Sequence, residues 1–167
     1  MGAVVLGAVA AVLVGVLPAG ADPGVSISFD GAAGAFPVNG YSDTWETPDQ
    51  EVRIWEHDNV IKFDGDKYRG PGQGWTWLAI ELSGADGAPL SPGTYTGVTN
   101  RYQHPENTGI VVIRDGLACG LDVAEFTITT LERDPDTGRL TAFDAEITQR
   151  CGSPTAPVFT ATLHLAS

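Results

Sequence analysis

Trp75 and Trp77 stand two positions apart in the alternating run Trp75-Thr76-Trp77-Leu78-Ala79-Ile80-Glu81-Leu82. On an extended chain that spacing projects both indoles from one face, about 6.6 Å apart, close to the interval over which stacked sugar rings or a proline-rich strand would lie. Trp55 alternates in the same way with Arg53 and His57, and Tyr102 follows Arg101. If these runs are neighbouring strands, Trp55, Trp75, Trp77 and Tyr102 form an aromatic strip edged with hydrogen-bonding groups, the composition of an extracellular ligand-binding surface. The competing reading places the rings in a second packing layer or under the glycine-rich stretch at residues 70–74, because large aromatics are well buried on average.

The other chemistry-bearing residues select no catalytic site. Asp and Glu number 21, and glycoside hydrolysis needs only two carboxyl groups facing across a cleft, so a hydrolase using a carboxylate pair is one alternative function. Nothing in the spacing singles out that pair. Asp64-Gly65-Asp66 and Asp134-Pro135-Asp136 read as short turns, since calcium requires six to eight oxygens and neither segment has the spaced ligands of an EF-hand loop. His57, His104 and His164 lack metal-ligand spacing, and no G-x-S-x-G elbow is present. No metal and no cofactor are expected. His104 belongs to a loop, and His164 alternates out of a core face toward solvent. A formal charge of −12 opposes binding to nucleic acid or to an anionic membrane surface, and it suits solubility in an exported protein.

Export is expected from the N-terminus. Residues 3–17 are almost wholly Ala, Val, Leu and Gly and are followed by Pro18 and the small residues Ala19-Gly20-Ala21, which reads as a signal peptide over residues 1–21. The run falls short of the roughly 20 apolar residues of a membrane span, and no basic stop-transfer cluster follows it, so no stable membrane anchor is expected after cleavage. The positive end of the signal rests on the α-amino group of Met1 alone. Residues 22–167 then form a single secreted domain of ordinary size.

Two cysteines, Cys119 and Cys151, bracket one predicted hairpin that turns at Asp134-Pro135-Asp136-Thr137-Gly138. In an oxidising compartment that geometry reads as a structural disulfide, whereas a zinc site would need CxxC spacing and paired His.

The domain should be all-β. Turn dipeptides recur at Asp30-Gly31, Asn39-Gly40, Asp64-Gly65, Asp86-Gly87, Pro92-Gly93, Asp115-Gly116 and in Asp136-Thr137-Gly138. Alternating strands are expected at 25–29, 52–57 and 75–82, a doubly covered strand at 110–113, and an antiparallel meander at 123–131, 140–151 and 158–165. Core faces follow from the alternation: Ala124, Phe126 and Ile128; Phe143, Ala145 and Ile147; Phe159, Ala161, Leu163 and Leu165. Many short strands with frequent turns imply an antiparallel two-sheet β-sandwich, with a closed β-barrel as the alternative. Matching the core faces sets Phe126 opposite Ala145 and Ile128 opposite Phe143, which leaves Cys151 facing Gly120. A β-bulge at Gly120 would then be needed to bring Cys119 across.

The ordered set Ser91-Pro92-Gly93-Thr94-Tyr95-Thr96-Gly97, Arg101-Tyr102, Asp115-Gly116-Leu117-Ala118-Cys119, Glu125-Phe126-Thr127-Ile128 and Phe143 through Cys151 resembles a family of uncharacterised secreted bacterial β-sandwich modules. The resemblance spans roughly residues 75–165. Ile147 stands where that pattern has a second aromatic, and Glu125 replaces the small residue before Phe126. The resemblance implies a secreted sandwich whose two cysteines map onto Cys119 and Cys151, and it carries over no catalytic residues. The combined expectation is a non-catalytic extracellular binding module for a glycan or protein, with a carboxylate hydrolase or a structural or inhibitory domain as alternatives.

Overall fold

A computed structural model describes residues 24–166; the expected signal peptide at 1–21 lies outside the described residues. Eleven strands follow in order: β1 (Gly24–Gly31), β2 (Ser42–Glu46), β3 (Glu51–His57), β4 (Val60–Tyr68), β5 (Trp75–Ser83), β6 (Gly93–Asn100), β7 (Gly109–Arg114), β8 (Leu117–Ala118), β9 (Asp122–Arg133), β10 (Leu140–Cys151) and β11 (Val158–Ala166). One 3-10 turn, Ala85–Gly87, interrupts them. No helix among the described residues is long and apolar enough to cross a membrane.

The all-β architecture is the one the alternation implied. One continuous sheet runs β2-β1-β11-β10-β9-β6-β7-β5-β4-β3, with β8 added beside β7. Its halves meet where β6 and β7 pair in parallel through Thr99 with Gly109 and Asn100 with Ile110, while the other pairings are antiparallel. The sheet thus curls nearly into a barrel, the closed form weighed beside the sandwich. A single apolar cluster fills it, drawing Ile27 and Phe29 from β1, Leu78, Ile80 and Leu82 from β5, and all the residues expected on the inner faces of β9, β10 and β11. β7 is buried on both faces at Ile110, Val111 and Val112, as its unbroken apolar run required.

Two turn assignments are corrected. Asp64-Gly65 is no turn and lies inside β4, where Gly65 pairs with Val52 and Leu78. The β3–β4 hairpin instead turns at Asp58 and Asn59, which both hold positive φ (51° and 61°). Two left-handed residues make the type I′ geometry that matches strand twist, and Asp and Asn tolerate it without glycine. At Asp30-Gly31 the chain is still in β1.

Glycine at position 65 serves closure of the barrel. A Cβ there would fall 2.9 Å from Phe63 Cζ, 3.0 Å from Trp45 Cε3 and 3.0 Å from Val52 Cγ1. Trp45 on β2 therefore reaches across the open seam and lies against the bare backbone of β4. Its indole is wholly buried and meets Phe29 edge-on at 5.3 Å. Burying about 200 Å² of ring at about 25 cal/mol per Å² contributes on the order of 5 kcal/mol.

Beside it, Asp43 Oδ2 accepts hydrogen bonds from Lys67 Nζ (2.6 Å), Tyr41 Oη (2.6 Å) and Trp45 Nε1 (2.9 Å). Arg114 of β7 lies over the Tyr41 ring at 4.1 Å and donates to the Val38 carbonyl. Near the end of β3, Arg133 of β9 donates to both carboxylate oxygens of Glu56, at 2.5 and 2.7 Å. Side chains thus bridge strands that exchange no backbone ladder.

The Cys119–Cys151 disulfide is present, with Cα atoms 5.7 Å apart. The route to it differs from the one expected. Phe126 lies opposite Ile147, Ile128 opposite Ala145 and Phe143 opposite Leu131, so Cys151 faces Asp122. This register is two residues from the expected one over most of the hairpin and therefore leaves every core face unchanged. Register irregularities occur between Leu140 and Ala142 and between Asp144 and Ala145, where Thr141 on one strand and Thr129 on the other are left over and compensate. Gly120 is irregular backbone, as expected, but it lies between strands and makes no bulge in a ladder. The chain leaves β8 at Ala118 and re-enters at Asp122, and Gly152 N–H donates to the Leu121 carbonyl at 2.8 Å to hold the crossing.

Two outcomes follow from the seam. Gly65→Ala should cost about 1–3 kcal/mol in urea unfolding because the added methyl has no room; an unchanged midpoint would show that Trp45 does not pack as described. Asp43 should also impose an acid limit. Burial alone would raise its carboxyl, but the Lys67, Tyr41 and Trp45 hydrogen bonds outweigh that and hold it at about 2, below its usual 3.8. A depressed folded value means stability that is present above pH 3.8 and lost as pH falls toward 2. Asp43→Asn should remove that part of the pH dependence, read as urea midpoints across the window.

Candidate functional site

The outer face of β3, β4 and β5 carries the sequence-derived candidates, but in an arrangement the sequence reading did not contain. β3 and β5 are not neighbours, since β4 runs between them. Its outward residues Lys62, Asp64, Asp66 and Tyr68 therefore divide the expected strip and become part of it. Ladder pairing sets the rows. Tyr68 is opposite Trp75; Glu51, Asp66 and Trp77 line up in the next row; then Arg53, Asp64 and Ala79; then Trp55, Lys62 and Glu81. Neighbours within a row are about 5 Å apart and successive rows about 6.6 Å apart.

Trp75 is the most open of the four tryptophans at 63% exposure, and Tyr68, missed by the sequence reading, is 51% exposed beside it. Their rings stand 5.4 Å apart, tilted at 50°. Trp77 is half-buried on the same face. Its backbone N–H donates to Asp115 Oδ1 at 2.9 Å, which fixes the end of β5 against the β7–β8 turn. Trp55 is exposed at the far side of the face, with the Arg53 guanidinium 5.7 Å over its ring. Arg53, Ile54, Trp55 and Asp64 line a shallow concavity there. The signal that would have found Tyr68 was the alternation of Lys62, Asp64, Asp66 and Tyr68, which the turn reading of Asp64-Gly65 concealed.

Tyr102 comes to this face through its loop. A Cβ on Gly109 would meet Arg101 Cβ at 2.5 Å and Ser83 Oγ at 2.8 Å, so only glycine lets the loop after β6 lie down on β5 and β7. Asn100 Oδ1 then accepts from the N–H groups of Tyr102 (3.0 Å) and Gln103 (3.1 Å), fixing the turn. Tyr102 Oη donates to Glu81 Oε2 at 2.7 Å, Arg101 pairs with the same carboxylate, and Lys62 Nζ lies 3.4 Å from its other oxygen. Burial raises the Glu81 carboxyl, but the Tyr102 hydrogen bond and the Arg101 and Lys62 charges outweigh it and hold the group low. Arg101 also lies 4.6 Å over the Tyr102 ring. Tyr102 is thus an exposed ring anchored on Glu81, which stands in the row of Trp55 and Lys62, two strands across from Trp55.

Asp66 lies at the centre of the face with no ion-pair or hydrogen-bond partner among the described residues. Burial first, and then the neighbouring Asp64 and Glu51 carboxylates, push its carboxyl up against a smaller opposing effect of Arg53. Asp64 by contrast is paired with Arg53 at 2.9 Å. No group of three His, Cys, Asp or Glu among the described residues is placed to hold a metal ion.

The opposite half of the sheet presents a different surface. A polar groove on the outer face of β1, β10 and β11 is lined by Ser28, Asp30, Glu146, Thr148, Thr160 and Thr162. Its two carboxylates lie in different rows with β11 between them, Asp30 opposite Thr160 and Glu146 opposite Thr162. His164 is exposed as expected and pairs with Asp144, and His104 lies in an exposed loop beside Glu106. The Asp134 segment is a side-chain-capped turn, Asp134 Oδ1 accepting from the N–H groups of Asp136 and Thr137.

The chain matches no family model, no curated protein and no solved structure.

Proposed function

We propose that this chain is a non-catalytic binding module that acts outside the cell and holds a glycan or protein partner on the outer face of β3, β4 and β5. The observation that carries the reading is the exposure of Trp75 and Tyr68, 63% and 51%, in a fold that buries Trp45 completely. Both rings stand on hydrogen-bonded strands, so contact with a ligand costs little further ordering. A purely structural role gives no reason for them to stay outside the core. Trp77, Trp55 and Tyr102 extend the same face, and their hydrogen-bonding neighbours Arg53, Lys62 and Glu81 supply polar groups at its edge.

Export is part of the proposal. The disulfide is compatible with an oxidising compartment, and the apolar N-terminal segment followed by small residues supports a cleaved signal. The resemblance to secreted bacterial sandwich modules points the same way.

Depletion of the folded protein from solution by a panel of insoluble polysaccharides and immobilised peptides tests the reading. Retention on at least one class is expected, with a loss of tenfold or more in Trp75→Ala and none in Thr162→Ala on the opposite half of the sheet. Retention on nothing, or retention indifferent to Trp75, would contradict it.

A further inference from the structure

We infer that the partner of this face is an extended polypeptide segment bearing cationic side chains at alternate positions, bound through Tyr68, Trp75 and Trp77 with Asp66 and Glu51. The inference rests on the binding-face reading and specifies the chemistry that the face would recognise.

Most charges on the face are paired with one another. Asp64 is neutralised by Arg53, and Glu81 by Arg101 and Lys62. Asp66 and Glu51 lie directly opposite each other across β3 and β4, with no cation paired to either among the described residues. The unneutralised negative charge of the face is therefore concentrated in one place, in the row of Trp77 and next to the row of Tyr68 and Trp75. An exposed aromatic face attracts a cation through the ring quadrupole, and a carboxylate beside the ring adds a charge-assisted hydrogen bond. A neutral sugar would stack on the rings but would leave two crowded carboxylates uncompensated. Burial first, and then the neighbouring Asp64 and Glu51 carboxylates, push the Asp66 carboxyl up, and an incoming guanidinium or ammonium group would relieve the part that comes from its neighbours. Arginine fits best, since its planar group stacks on an indole while its N–H groups reach a carboxylate.

The repeat follows from strand geometry. Trp75 and Trp77 project one row apart, about 6.6 Å, which is also the interval between alternate residues of an extended peptide. A segment running along β5 can thus set one cationic side chain against each indole. The formal charge of −12 on the chain would speed encounter with such a segment and make binding salt-dependent.

The test is a titration of the folded protein with the synthetic peptide Ac-(Arg-Gly)4-amide, followed by tryptophan fluorescence at low and at physiological salt. Its neutral and acidic counterparts, Ac-(Ser-Gly)4-amide and Ac-(Glu-Gly)4-amide, serve as comparisons. Saturable binding of the arginine peptide alone is expected, weakening with salt and at least tenfold weaker in Trp75→Ala and in the isosteric Asp66→Asn/Glu51→Gln variant. The Asp30→Asn/Glu146→Gln variant removes the same charge from the opposite half of the sheet and should bind within about twofold of the parent. Equal weakening in both double variants would reduce the effect to net charge and overturn the inference. So would the absence of arginine-peptide binding. If a neutral polysaccharide is retained through Trp75 while the arginine peptide is not bound, the cationic partner is wrong and the binding face stands; if neither is bound, both fail.

Discussion

A rolled sheet must do something with its two free edges, and in this protein the edges at β2 and β3 are joined by side chains instead of a backbone ladder. The joint is the contact of Trp45 with the bare backbone at Gly65, locked by the three donors that converge on Asp43. Unpaired strand edges invite pairing with other chains, and covering them is one way folded proteins avoid it. The Asp43 cluster is well matched to that role. Its carboxylate is partly shielded from water yet fully engaged, so removing the Lys67 ammonium would leave a poorly compensated charge beside two neutral donors. The same cluster raises the Tyr41 hydroxyl to about 12, through burial first and then through its bond to Asp43. The seam therefore keeps both groups in their neutral-pH states across a wide range.

Closure has a consequence for the surface. Once the apolar sides of both halves are committed to one core, each strand presents its alternate residues to solvent, and the two outer faces can differ freely. The half built on β1, β10 and β11 presents hydroxyls with scattered carboxylates. The half built on β3, β4 and β5 presents indoles, a phenol and a set of charges that are mostly paired with one another. Exposed rings on paired strands and carboxylates without an ion-pair partner among the described residues come together around Asp66, the part of the surface on which the proposed function rests. The disulfide joins the β8–β9 crossing to the end of β10, where it secures the hairpin, and the Cys119 carbonyl accepts from Nδ2 of Asn100, the residue that fixes the Tyr102 turn.

Much of the fold was legible from alternation alone, and the exceptions have definite causes. The parity of each strand, and hence each core face, came directly from residues such as Phe126, Phe143 and Leu163. Absolute register did not, because a shift of two residues preserves parity, and the choice between such registers belongs to the turn at Asp134–Gly138 and to the paired irregularities at Thr129 and Thr141. β4 was hidden because Asp-Gly is ordinarily a turn signal; here Gly65 is demanded by a ring from a strand twenty residues away, a contact no local pattern announces. The true turn at Asp58-Asn59 lacked glycine and gave no such signal. On the candidate face, Trp75 and Trp77 were legible by spacing, whereas Tyr68, Asp66 and the Glu81 anchor for Tyr102 became visible only once β4 was placed between β3 and β5.

The four tryptophans report separately on core and face, so the indole N–H signals of the ¹⁵N-labelled protein offer the most direct examination of the account. During titration with the arginine-glycine peptide, the Trp75 and Trp77 signals should move together and saturate, the Trp55 signal should move less, and the Trp45 signal should stay fixed in the seam. Movement of Trp45, or Trp75 and Trp77 signals that stay fixed while the peptide binds, would contradict the assignment of binding to the β3–β5 face.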